Sequence, residues 1–172
     1  MHSIRLALVC LAVTACQDEP PPAAPTPPPI QQGVTAFISI DNLSARVGQT
    51  VRVRVEVRVG EQSDFRVGSF TGRLRFDPTK LGFREENAVN DGLRIANARN
   101  AAAGEIRFAG ANPTGFRTLV LYDGTFEVRA AGYVQALQLQ MEELSAALSL
   151  QNLAPQLSVS RQVFQYRPAQ RP

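Results

Sequence analysis

The sequence predicts an all-β domain, a β-sandwich of about eight or nine antiparallel strands. Three observations point to it. Residues 51–59 read Val-Arg-Val-Arg-Val-Glu-Val-Arg-Val, with valine at every odd position and a charged residue at every even one. Such alternation puts one face of a strand in a core and the other in water, as in an antiparallel sheet with one wet side. Further short alternating runs, separated by Gly, Pro, Asn and Asp, recur from Val34 to Tyr166. No long helical periodicity interrupts them, and short strands at this spacing indicate a sandwich.

In chain order, Ala36 to Ile40 is the first strand, ended by Asp41-Asn42. Arg46-Val47-Gly48-Gln49 leads into the valine strand, whose charged face acts as a solubility device and a guard against edge pairing. Phe65 to Phe76 is a third strand, bent or closely packed at Gly68 and Gly72, with Leu74 and Phe76 inward. Asp77-Pro78 makes a turn. Leu81-Gly82-Phe83 and Leu93 to Ala98 flank an Asn90-Asp91-Gly92 turn, and Glu105 to Ala109 is a short strand. Arg117 to Arg129 reads as a long strand. Val120, Tyr122, Phe126 and Val128 share its inner face, which sends Leu119 and Leu121 to the other. Gln135 to Met141 turns Leu137, Leu139 and Met141 inward. Residues 141–150 (MEELSAALSL) have helix-forming composition, yet Leu148 and Leu150 alternate. Leu157 to Tyr166 closes the domain.

The first 32 residues follow other rules. Arg5 precedes a short apolar run, Leu6 to Ala12, and small residues lead to Cys16. A membrane span needs about 20 apolar residues, so this run reads as a signal peptide over residues 1–15. The ending Val13-Thr14-Ala15-Cys16 resembles the lipobox of bacterial lipoproteins. That resemblance implies diacylglycerol on the Cys16 sulfur, cleavage before it and an extracytoplasmic, lipid-anchored protein. By the same resemblance, Gln17 rather than Asp after the cysteine implies the outer membrane in a double-membraned cell. Several acyl chains on one residue hold a protein firmly, where one chain holds it marginally. Residues 16–32 then form a proline-rich stalk, QDEPPPAAPTPPPIQQ after the cysteine. Proline removes backbone donors and favours extended polyproline geometry, so the stalk is a stiff spacer long enough to lift the domain up to roughly 40–50 Å off the membrane. Residues 33–172 are the folded domain.

Composition excludes several classes of function. The 172 residues suffice for one ordinary domain. The net charge of +3 comes from arginines interspersed among carboxylates rather than clustered, which is not a nucleic-acid footprint. His2, the only histidine, departs with the leader, as does Cys10, while Cys16 carries lipid. The mature domain then has no imidazole or free thiol for nucleophilic catalysis, and no disulfide or His/Cys metal site. No Gly-rich phosphate loop appears. The carboxylates Asp64, Asp77, Asp91, Asp123, Glu85, Glu86, Glu142 and Glu143 sit at turns or outward strand positions. Paired carboxylates run glycoside hydrolysis, but solvated surface is the ordinary role of such positions. Asn87, Asn90 and Asp91 offer oxygens without EF-hand spacing, and turn chemistry explains them. The sequence therefore predicts no enzyme, no cofactor and no metal site.

One resemblance spans the domain. Residues 47–59 run from a Val-Gly-Gln-Thr-Val turn into the alternating strand. Leu74-Arg75-Phe76-Asp77-Pro78-Thr79-Lys80-Leu81 follows the pattern apolar, aromatic, Asp-Pro, two variable residues, Leu. Gly104 to Ala109 and Asp123-Gly124-Thr125-Phe126-Glu127-Val128 follow in the same order. This succession resembles a cohesin domain, loosely from Val34 to Tyr166. The resemblance implies a nine-stranded antiparallel jelly-roll sandwich that binds another protein without catalysis. In cellulosomes the partner is a dockerin, a small calcium-binding helical module; elsewhere it is often undefined. A carbohydrate-binding module of a surface polysaccharide-handling system is the alternative. Such modules stack sugars on exposed rings, and this chain has no Trp and three Tyr. Tyr122 faces inward, leaving Tyr133 and Tyr166. The candidate partner-binding face is the outward side of Arg117–Arg129, carried by Leu119 and Leu121, because exposed apolar residues mark contact sites.

Overall fold

A computed structural model describes residues 33–60 and 66–166. The signal peptide, Cys16, the stalk, Asp64, Phe65 and residues 167–172 lie outside these. Nine strands form among the described residues: β1 (Val34–Ile40), β2 (Thr50–Val59), β3 (Val67–Arg75), β4 (Leu81–Glu86), β5 (Leu93–Asn97), β6 (Glu105–Ala111), β7 (Val120–Val128), β8 (Gln138–Ala146) and β9 (Leu157–Gln165). They build two sheets, one ordered β4-β7-β2-β1-β9 and the other β5-β6-β3-β8. All pairings are antiparallel except that of β1 with β9, which is parallel. The expected β-sandwich is what the chain forms.

The valine strand explains why the sheets pack. Val51, Val53, Val55 and Val57 are fully buried, and each buried valine contributes about 1.5–3 kcal/mol relative to exposure. Facing them across the sandwich, Phe70 and Leu74 of β3, Ile106 and Phe108 of β6 and Leu144 of β8 complete one core. Phe108 stacks on Tyr122 at 5.7 Å between ring centres, and Phe76 and Phe83 both meet Phe126 edge-on. β2 is the third of five strands, so its charged face does not guard an edge. The exposed edges are blunted otherwise. In β9 the pairing to β1 jumps from Val159 to Val163, a bulge that spoils the edge strand as a template.

Three local readings gain detail. Leu81–Phe83 and Leu93–Ala98 flank the Asn90-Asp91-Gly92 turn but belong to different sheets: β4 pairs with β7 and β5 with β6. The Asn90-Asp91-Gly92 turn is the corner between sheets, and Gly92 takes a φ of +73° there. Asp91 holds the corner by accepting the amide N–H groups of Arg117 and Thr118 at 2.6 and 2.7 Å. Second, the helix-like stretch is strand as far as Ala146, because Leu144 and Ala146 fill the core opposite Phe70 and Val67. Packing against a sheet overrides helix propensity. Third, β7 is bulged. Val55 pairs with Tyr122 but Glu56 pairs with Val120, which leaves Leu121 as the extra residue. A bulge turns two successive side chains to one side, so Leu121 and Tyr122 are both buried.

Candidate functional site

The bulge divides the two leucines singled out from the sequence. Leu121 is 2% exposed and belongs to the core, whereas Leu119, just before β7, is 38% exposed. Strict alternation through 117–129 put them together, and the one-residue shift separates them. The rest of the outer side of β7 is also not a free apolar face. Asp123, which alternation sends to the outer side of the strand, is nevertheless 3% exposed. Its carboxylate accepts from Arg52 Nε at 2.6 Å, Arg54 Nε at 2.7 Å and Asn87 Nδ2 at 2.8 Å. The Arg54 guanidinium also lies 4.1 Å from the centre of the Tyr166 ring. Burial pushes the Tyr166 hydroxyl up to about 12. On β1, Ser39 donates to Glu56, so polar pairs occupy the middle of the five-stranded sheet's outer side.

The other sheet presents a different surface. Its registers align residues in rows across four strands: Leu93, Ala111, Ser69 and Ser145; then Ile95, Ala109, Thr71 and Glu143; then Asn97, Arg107, Arg73 and Gln140. All of these point away from the core, since their even-numbered neighbours in β3 and β6 point into it. Leu93 is 74% exposed and Ile95 67%. Beside them Ala109 and Ala111 keep the surface low, and the hydroxyls of Ser69 and Thr71 follow. The adjoining corner is charged. Glu105 accepts from Arg107 at 3.0 Å and Arg75 at 3.2 Å, and Arg73 reaches Glu105 and Glu142. The Arg107 guanidinium, with Arg75 and Arg73, holds the Glu105 carboxyl below the usual carboxylate range against a smaller effect of burial. The result is a sheet face with one apolar corner and one ion-paired corner. Sequence reading missed it because a five-residue edge strand with two outward apolar residues and an inward arginine has no obvious core face. Arg94 points inward, lies over the Phe116 ring at 4.5 Å and donates to the Val89 and Asp91 carbonyls.

Several of the remaining candidates have structural partners. Tyr133 is buried. Its hydroxyl donates to the Asn42 carbonyl at 2.9 Å and accepts the Ala45 N–H at 3.0 Å. Tyr122 is buried and Tyr166 half-buried, so none of the three tyrosines offers a sugar-stacking platform. Asp77 accepts both the hydroxyl and the N–H of Thr79. Glu142 pairs with Arg73, and Glu143 accepts from Ser69. Asn87 and Asp91, weighed as calcium ligands, are engaged with Asp123 and with the sheet corner. Among the described residues no group of three or more His, Cys, Asp or Glu side chains converges as a metal site. No described helix is long and apolar enough to cross a membrane.

Comparison with solved structures bears on this architecture. The sixth cohesin of scaffoldin B from Acetivibrio cellulolyticus, solved in complex with a dockerin, superposes with a TM-score of 0.57 at 14% identity. The match covers 80% of this chain and 100% of that one. This chain has the cohesin fold. A type II cohesin module from an adaptor scaffoldin of the same organism gives a TM-score of 0.55 at 12% identity, covering 81% of this chain and 100% of the module. The non-cellulosomal cohesin of the archaeon Archaeoglobus fulgidus gives 0.52 at 16% identity, with 76% of this chain and 88% of that one covered. No family model matches the sequence, and no curated protein matches it. At 12–16% identity the likeness to these structures is one of fold.

Proposed function

We propose that this chain is a non-catalytic, protein-binding module, held outside the cytoplasm by lipid on Cys16, whose docking face is the outer side of β5-β6-β3-β8. The observation that carries the binding reading is the pair Leu93 and Ile95. Both are about two-thirds exposed or more, on a sheet face beside Ala109 and Ala111. An apolar corner on the edge strand β5, beside the ion-paired Arg73, Arg75, Arg107 and Glu105, sets apolar anchors next to polar groups, the two ingredients of an interface. The cohesins of Acetivibrio cellulolyticus and Clostridium thermocellum with this fold were solved with dockerins, which supports a compact helical module as the type of partner. The carbohydrate reading loses its footing with the burial of Tyr133, and no described aromatic ring stands exposed.

The anchor reading rests on residues 1–16 and on the stalk that joins them to Gly33. It gives an outer-membrane location in a double-membraned cell. The binding reading is tested by capture of surface proteins with the full chain and with a Leu93→Asp/Ile95→Asp variant. Retention by the wild type with loss in a folded variant supports the face. Equal capture by the two removes it.

A further inference from the structure

The end of the sandwich where the stalk joins carries its own apolar surface. The turn after β8 lifts Leu148 and Leu150 into solvent, 85% and 81% exposed. Both adopt left-handed backbone, with φ of 62° and 54°, a conformation leucine rarely takes. Strained backbone that persists at an exposed position points to a function for the displayed side chains. Hydrogen bonds locate this turn at the same end as Gly33. Ala147 N–H donates to the Arg66 carbonyl and Phe116 N–H to Val67, while Gly60 N–H donates to Gly33 and Val57 N–H to Leu119. Half-exposed Leu119 thus lies at this end too, and exposed Arg66 and Arg117 flank the turns.

We infer that this end is a lipid-contacting tip: Leu148 and Leu150 enter the bilayer interface, with Arg66 and Arg117 at headgroup level. The inference rests on the lipid anchor at Cys16. The bilayer is the occupant argued for because residues 17–32 join Gly33 to Cys16, so the end that carries Gly33 is the tethered end, and the extended length of those residues is an upper limit on the separation. Projecting leucines flanked by two arginines suit a fluid interface, where the guanidinium meets phosphate and the stem stays apolar. A protein partner would need a flatter, continuous patch, which lies on the other surface already described.

The test uses the full, exported chain reconstituted in vesicles of phosphatidylethanolamine and phosphatidylglycerol. With the Cys16 sulfur acylated, Ser149→Cys provides one reactive thiol for an environment-sensitive fluorophore, and Val47→Cys provides a control at the opposite end. Spin-labelled lipids should quench the probe at 149 several-fold more than the probe at 47, and Leu148→Ser/Leu150→Ser should abolish the difference. Equal quenching at the two positions, with acyl groups on Cys16 confirmed by mass, overturns the tip while leaving the anchor intact. An unmodified Cys16 overturns the anchor and the tip together. A probe at 149 that ignores vesicles but is buried by an added protein overturns the lipid tip in favour of a protein contact.

Discussion

Arg54 Nε donates to Asp123 Oδ2 at 2.7 Å across the β2–β7 ladder, and Asp123 is almost entirely buried by that contact and its neighbours. The pair converts two residues that alternation assigns to water into a fixed element of the five-stranded sheet. Arg52 takes the other carboxylate oxygen. A buried carboxylate is tolerable only when its charge and lone pairs are matched, and three donors match it here.

Removing the carboxylate should therefore cost stability. Asp123→Ala leaves Arg52 and Arg54, whose side chains keep 37% and 23% of their exposure and turn to solvent. The expected loss is about 1–3 kcal/mol in denaturant unfolding. Arg54→Asp should cost more, because it sets a second carboxylate beside the first. A change under about 0.5 kcal/mol for either variant would contradict the structural role of the pair.

The two leucines around the β7 bulge should behave oppositely. Leu121→Ser removes a buried side chain and is expected to destabilise the domain by about 2–5 kcal/mol. Leu119→Ser should lie within about 0.5 kcal/mol of the wild type. Thermal or chemical unfolding of both variants reads the difference, and equal effects would mean the strand is not bulged.

Acid should weaken the fold through the sheet corner and two exposed clusters. Burial pushes the Asp91 carboxyl up, but the N–H groups of Thr118 and Arg117 outweigh it and leave it lowered. Thr79 lowers Asp77, and Arg107 with Arg75 lowers Glu105. Each folded-state value lies below its unfolded value, so the stabilisation is complete above about pH 4–5 and lost as pH falls through the folded values. Unfolding midpoints measured against pH should drop on the acid side, and Asp91→Asn should flatten that drop. An acid limb unchanged in Asp91→Asn would remove the corner from the account.

The anchor gives a chemical prediction. Cells expressing the full chain and fed a fatty-acid probe should label it, and Cys16→Ser should abolish both labelling and partition into detergent. Labelling of the variant at the wild-type level would exclude lipid on Cys16.

Most of the fold was legible because period-two alternation and turn residues act locally. Residues 51–59 need nothing beyond their own order to define an inner face. What was not legible depended on pairing. Nothing in Arg117–Arg129 announces that Leu121 is the extra residue of a bulge, since the shift exists only relative to Val55 and Glu56. Alternation sends Asp123 to water, and only its cross-strand partner Arg54, with Arg52 and Asn87, shows that it is buried. The 141–146 segment reads as helix by composition until Phe70 and Val67 supply a core for Leu144 and Ala146. The Leu93–Ile95 face was hidden for the same reason. Its meaning comes from Ala109 and Ala111 on the neighbouring strand, 14 to 18 residues further along the chain.

Side-chain footprinting of the partner complex tests the central claim most directly. Hydroxyl radicals oxidise exposed leucine and isoleucine, and the full chain is compared free and bound to the protein it captures. The account predicts that oxidation of Leu93 and Ile95 falls several-fold on binding while Val47, at the remote Arg46–Gln49 turn, is unchanged. Unaltered oxidation of Leu93 and Ile95 in a saturated complex would contradict it.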